Sequence, residues 1–268
     1  MRRLLRLIGA NGIAVALVAA MSLSAQETPA SPAHAGVAVR FPEGSVHGFL
    51  ELRNDAGTLI AQGDLLQRPM NGGIESRLRF RFLDGSLFDE TATFTQQHVF
   101  ALQQYHLVQQ GPAFEHQLDA TLTRAGRYHV TSRVGAKPAE VYDGTLELQP
   151  DIANGLVIIL AKNLDVRTPR RVQLVAFTPK PRLIELEFVP AGTVRIRPGP
   201  RAETAQEFIL KPRLGPLVGF FAHVLGKHPP DSRAWIVRDD VPTFLRFVGP
   251  MYLGPTWRLD LATPAWPK

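Results

Sequence analysis

The sequence predicts a mainly β fold: a curved antiparallel sheet or half-open barrel wrapping one or two helices. Three observations point there. Short runs of alternating apolar and polar residues recur along the chain. Glycine and proline, 22 of each in 268 residues, fall between those runs as turn punctuation. A single segment, DIANGLVIILAKNL from Asp151 to Leu164, repeats apolar side chains at helical spacing.

The N-terminus reads as a targeting segment. Arg2, Arg3 and Arg6 precede an apolar run from Ile13 to Ala20 and the small residues Ser22, Ser24 and Ala25, which is the pattern of a secretory signal peptide. Cleavage is expected after Ala25, with Ser22 and Ser24 as alternatives. The apolar run is shorter than the ~20 residues that span a bilayer, and Asn11 and Gly12 interrupt it, so a transmembrane anchor is the weaker reading. The absence of cysteine removes a lipobox, disulfides and thiol chemistry. The expected layout is a signal peptide over 1–25, a flexible linker over 26–36 and one β-rich domain over 37–268, in a periplasmic or secreted bacterial protein held together by its core.

The strands follow in order. Val46 to Arg53 and Thr58 to Gln67 flank the turn Asn54-Asp55-Ala56-Gly57. In Ile74 to Phe82, Leu78, Phe80 and Phe82 alternate with Arg77, Arg79 and Arg81, so one face is apolar and the other carries guanidinium groups. A three-residue turn at Asp84-Gly85-Ser86 predicts Phe82 opposite Phe88 and Arg81 opposite Asp89, with Glu90, Ala92 and Phe94 on the inner face. Further strands are expected at Phe100 to Gln109, Gln117 to Arg124, Tyr128 to Val134 and Tyr142 to Leu148, an antiparallel meander. After the helix come Arg171 to Thr178, Arg182 to Val189, Thr193 to Arg197 and Ala205 to Lys211, with turns at Pro179, Pro190 to Gly192 and Pro198 to Pro200. Ala234 to Arg238, Thr243 to Val248 and Trp257 to Leu261 finish the chain. So many short strands suit a half-open or closed barrel, or a sandwich, because closure removes exposed edges.

Within Asp151 to Leu164, Pro150 and Asp151 supply a start signal and Lys162 a cation near the end. Ile152, Leu156, Ile159, Leu160 and Leu164 form the repeating face. Against a helix stand the β-branched Val157, Ile158 and Ile159, and Gly155, which costs about 1 kcal/mol inside a helix. A buried strand is the alternative, and it would make the sheet an uninterrupted barrel with no lid. Pro216 to Gly226 is a second apolar run, helix or strand.

Charge divides the chain unevenly. Without Arg2, Arg3 and Arg6, the 30 basic residues fall to 27, against 24 acidic. From Lys162 to Arg213 stand 11 basic residues against Asp165, Glu185, Glu187, Glu203 and Glu207. A solvated strand face is the plainer reading of this lobe, and peripheral contact with an anionic membrane surface, for which Arg195 and Arg197 are the candidates, is the other.

The sequence lacks GxSxG, HExxH, Walker, dinucleotide-glycine and EF-hand patterns. His98, His106, His116 and His129 with Asp119 match no metal-cage spacing, so neither a metal nor a cofactor is expected. Asp89 and Glu90 point to opposite faces of one strand and cannot act as a dyad. An inward Glu90 is a polar ligand contact, a general acid or a paired structural carboxylate. The arginines and the phenylalanines of Ile74 to Phe82 lie on opposite faces, which excludes a base-stacking nucleic-acid platform there. Trp235, Val237, Phe244 and Phe247 line a hydrophobic space or fill the core. The candidate ligand-binding residues are therefore Phe80, Phe82, Glu90, Phe94, Leu156, Ile159, Trp235 and Phe244.

Trp235, Asp239-Asp240, Pro242 and the glycine hairpin Gly249 to Gly254, together with Leu148 to Val157, resemble a group of uncharacterised bacterial periplasmic β-proteins, domains of unknown function. The resemblance covers about half of the chain after the signal and implies a curved antiparallel sheet and a periplasmic address. It brings no catalytic residue. A looser analogy, at the level of fold, is to periplasmic lipoprotein and lipid carriers. The expected function is a non-enzymatic envelope protein that binds a lipid-like ligand or an envelope partner. The alternatives are a hydrolase of envelope material using an inward carboxylate, and a structural component.

Overall fold

The computed structural model describes residues 34–178, 180–197, 202–214, 230–251 and 254–262. The signal-peptide reading, most of the linker, the run Pro216 to Gly226, and Tyr252 and Trp266 lie outside the described residues.

Among the described residues, fourteen strands form one antiparallel sheet. The first meander comprises β1 (Val46–Arg53), β2 (Leu59–Met70), β3 (Gly73–Phe82), β4 (Leu87–Gln96), β5 (Phe100–Gln110), β6 (His116–Thr123), β7 (Arg127–Val134) and β8 (Glu140–Thr145). The second comprises β9 (Arg170–Ala176), β10 (Arg182–Ile196), β11 (Glu203–Arg213), β12 (Ser232–Val237), β13 (Thr243–Gly249) and β14 (Trp257–Leu261). Hairpin follows hairpin within each, and the meanders join where β1 pairs β14, with Leu50 opposite Leu261 and Arg53 opposite Arg258. The sheet is not closed. Its free edges, β8 and β9, are consecutive in sequence, and the segment linking them contains α1 (Val157–Asn163).

The alternation read from the sequence sets the faces. Phe80, Phe82, Phe88 and Phe94 are buried on the inner side of β3 and β4. Outside, Arg77 Nε and Nη2 donate to Asp89 at 2.8 and 2.6 Å, and Arg79 Nε donates to it at 2.9 Å. The β3–β4 register differs from expectation by two residues. Phe82 N donates to Ser86 O around Leu83-Asp84-Gly85, a turn one residue earlier than expected, so Phe80 faces Phe88 and Arg79 faces Asp89. A slip of two leaves every side chain on its expected face. Pro190 to Gly192 is also not a turn. β10 runs through it to Ile196, and the extra residues are absorbed as a bulge opposite β11, with Gly192 at φ 89°.

The helix is shorter than the 151–164 expected. Gly155 takes φ 70°, outside the helical region, and Leu156 occupies the N-cap position without a side-chain cap. Asp151 is engaged elsewhere: its buried carboxylate meets His34 Nδ1 at 3.2 Å and lies 3.9 Å from Arg170. At the other end Arg238 donates to the carbonyls of Lys162 and Leu164 at 2.9 and 3.2 Å, partners that a helix terminus otherwise lacks. Asn163 Oδ1 accepts from the backbone N–H groups of Arg40 and Phe41 at 2.9 and 2.8 Å. Lys162 Nζ reaches Glu43 at 2.5 Å, so the helix end pins the chain just before β1.

The linking segment also completes the edge strand β9. Asn154 Nδ2 donates to Val175 O at 2.9 Å and Val175 N donates to Asn154 Oδ1 at 2.8 Å. Ala153 N donates to Gln173 O at 2.9 Å, and Gln149 N to Gln173 Oε1 at 2.8 Å. One carboxamide thus copies the donor–acceptor pair of a neighbouring strand. Replacing it leaves both backbone groups of Val175 buried and unmatched. Asn154→Ala is expected to lower stability by about 2–4 kcal/mol in urea unfolding, whereas Asn54→Ala in the exposed β1–β2 turn, where Asn54 Oδ1 accepts from Thr58 N, is expected to lose less than about 1 kcal/mol.

Candidate functional site

A cavity of about 300 Å³ lies between the inner faces of the two meanders. Leu78, Phe88, Leu107 and Leu118 line it from β3 to β6, and Leu174, Ile184, Leu186, Leu210, Phe247 and Leu259 from the second meander. Gly155, Val157 and Ile158 of the linking segment complete this wall. The helix therefore divides its labour: Ile159, Leu160 and Ala161 are buried in the core, while Val157 and Ile158 face the cavity.

The polar side chains on this wall are Glu90, Tyr105, Gln109, His116, Asn154 and Ser232. Tyr105 OH donates to Glu90 Oε1 at 2.7 Å, and its ring stacks on Phe177 with centroids 5.7 Å apart and planes 7° from parallel. Asn154, bound to Val175, lines the same wall. Part of the Glu90 surface is open to the cavity, but protein surrounds the carboxyl. Burial pushes its pKa above the usual carboxylate range, and the bond from Tyr105 offsets only part of that rise. Burial and the neighbouring Glu90 likewise push the Tyr105 hydroxyl well above its ordinary value.

Glu90 pairs across the sheet with Leu107, and Gln109 with Phe88 and Leu118. His116, two residues before Leu118, continues the line, so Glu90, Gln109 and His116 step diagonally across β4, β5 and β6. Gln109 is 1% exposed and neither atom of its amide has a hydrogen-bond partner; His116 Nδ1 also has none. The diagonal owes its position to the irregularity where Thr93 pairs Gln104 and Phe94 pairs Leu102. That bulge transfers the inner face from Phe100 and Leu102 to Tyr105, Leu107 and Gln109.

Of the residues expected to bind ligand, Glu90 is on the cavity wall. Phe80, Phe82, Phe94, Leu156 and Ile159 are packed into the main core, Phe82 against Phe114 and Trp257. Phe244 is partly buried against that core, and its neighbour Phe247 reaches the cavity. Trp235 packs in a separate small cluster with Ala205, Val237 and Leu245. Arg195 and Arg197 are exposed, Arg195 opposite Thr204. Elsewhere in the basic lobe Arg213 and Arg171 converge on Glu187, holding its carboxyl below the usual range, Lys162 meets Glu43 and Arg167 meets Asp165; beyond the lobe Arg233 meets Glu207. The histidines are dispersed, with His106 on Asp119 at 2.9 Å, His129 on Asp143 at 2.7 Å and His116 at the cavity. Among the described residues no group of three or more potential metal ligands assembles, and no helix is long and apolar enough to cross a membrane.

No protein-family model matches the chain, and no curated protein matches it. Among solved structures it is similar to a crystal structure described as a β-barrel-like protein of a domain of unknown function, DUF1849, from Brucella abortus. The two share 8% identity over 83% of this chain and 97% of that one, with a TM-score of 0.45. The likeness concerns fold alone.

The raised Glu90 pKa has a signed consequence. Below the ordinary glutamate value, ~4.3, folded and unfolded chains both hold the proton; above it the unfolded chain releases the proton first, so this group lowers stability as pH rises toward its folded pKa. Glu90→Gln removes that penalty and keeps an acceptor for Tyr105. Urea unfolding at pH 4 and pH 7.5 is expected to show near-equal stability at the lower pH and a gain for the variant at the higher; a constant difference at both would show that Glu90 does not titrate abnormally.

Proposed function

We propose that this chain is a non-enzymatic binding protein of the bacterial envelope, periplasmic or secreted, that holds a lipid-like ligand between the two meanders. The carrying observation is the cavity, about 300 Å³ and apolar over most of its wall. It falls at the lower end of small-molecule pockets. At about 30 Å³ per water-sized volume it accommodates roughly ten heavy atoms. Removing that much apolar ligand surface from water is the driving force, and the few polar side chains supply orientation. The N-terminal Arg2 to Ala25 pattern supports the export reading. The exposed Arg195 and Arg197 support peripheral contact with anionic lipid head groups.

An envelope hydrolase is the second reading, favoured by Glu90 and His116 facing one cavity. Against it, Glu90 hydrogen-bonds Tyr105, and Gln109 lies between it and His116 on the sheet. A purely structural envelope component is the third.

Native mass spectrometry of protein purified from its own host is expected to show a co-purifying lipid-like molecule. Ile184→Trp, which fills the cavity from β10, is expected to remove it and to weaken binding of the apolar fluorophore N-phenyl-1-naphthylamine by about tenfold or more. A wild-type protein that binds neither lipid nor fluorophore would leave the structural reading, and hydrolysis of envelope material lost in Glu90→Gln would favour the enzyme.

A further inference from the structure

Resting on the ligand-binding reading above, we infer that the ligand is a single-chain amphiphile whose head is uncharged and both donates and accepts hydrogen bonds, an amide or alcohol, and that Gln109 recognises it. The argument begins with an imbalance. A buried carboxamide offers two N–H donors and a carbonyl acceptor, and burying them unmatched is unfavourable. Gln109 is 1% exposed, lines the cavity and finds no protein partner for either amide atom. By contrast, the nearby carboxamides of Asn154 and Asn163 have partners for both amide atoms, Asn154 on Val175 and Asn163 on Arg40, Phe41 and Ile159. On the cavity wall itself, Asn154 is matched at both amide atoms and Gln109 at neither.

The neighbours fix the character of the head. Glu90 sits one diagonal step away on β4, close enough for long side chains to meet one group. Its Oε1 already accepts from Tyr105, so Oε2 is the acceptor it has left, on a side chain that lines the cavity. His116, with Nδ1 unmatched, lies one diagonal step away on β6. No lysine or arginine lines this cavity among the described residues. A carboxylate or phosphate head would thus be desolvated without a counter-charge and set beside an acid, which is strongly unfavourable. An ammonium head would lose its hydration for a single acidic group. A neutral amide exchanges a reciprocal pair of bonds with Gln109, and the apolar wall takes the tail.

The test uses wild-type protein and Gln109→Leu, an apolar replacement of similar shape that removes donor and acceptor together. Calorimetric titration with decanamide, 1-decanol, decanoate and decylammonium, beside N-phenyl-1-naphthylamine fluorescence, separates head from tail. Wild type is expected to bind the amide and alcohol about tenfold or more tightly than the two ions. Gln109→Leu is expected to abolish that preference while retaining the fluorophore. Gln109→Met serves in its place if the leucine variant is unfolded by circular dichroism. Fluorophore binding with equal affinity for all four heads, as expected if water alone meets Gln109, overturns this inference and leaves the cavity reading intact. Loss of the fluorophore from wild type as well overturns both.

Discussion

The backbone of Val175 finds its partner in a side chain, and the architecture turns on that substitution. A fourteen-stranded sheet that stays open has two edges to satisfy, and a buried edge cannot leave its N–H and C=O groups unmatched. Here the edges are consecutive strands, so the segment joining them passes between them by necessity. Asn154 meets β9 through its carboxamide. Gly155 presses against β4 and β5 so closely that a Cβ there would stand 2.6 Å from that of Ala92. The helix follows only because Gly155, in its left-handed conformation, turns the chain after Asn154 has been held. One dipeptide thereby ties the first meander to the second.

The cavity follows from the same arrangement. A closed barrel of small strand number fills itself with side chains, whereas two meanders held apart by an inserted segment leave a space that the segment only partly occupies. Val157 and Ile158 border that space because the helix is too short to turn all its apolar residues into the core. The two themes meet on one wall: Tyr105 bonds the Glu90 carboxyl there, and Asn154, which completes the sheet edge, lines the same cavity.

Much of the fold was legible in the chain because period-two alternation is a local property. Val46 to Arg53 and Trp257 to Leu261 were read to the residue, and the inward placement of Glu90 follows from the arginine–phenylalanine alternation of its neighbour. What escaped were features decided by partners distant in sequence. Asp151 has the chemistry of a helix cap, but His34 and Arg170 claim it, and nothing near Asp151 announces either. The glycine in the middle of the apolar run was the local sign of a late helix start. Gln109 was hidden by the bulge near Gln103 and Gln104, since uninterrupted alternation from Phe100 turns it outward. The run Tyr105, Leu107, Gln109, read in its own phase, carries the correct face. Pro190 to Gly192 looked like a turn because proline and glycine also serve bulges, and only the pairing of β10 with β11 decides between the two.

The junction of β1 with β14 has a kinetic meaning. Leu50 and Leu261 are sheet neighbours although nearly the whole described chain separates them. Closing so long a loop is entropically unfavourable before its contacts reward it, and folds dominated by distant pairings form slowly. Neither meander can be stitched to the other until the last strand has been synthesised. Through that interval β1 remains an unpaired edge with Phe49 exposed beside it, the form in which a strand recruits the wrong partner. The order of strands therefore leaves that edge of β1 open until β14 arrives to occupy it.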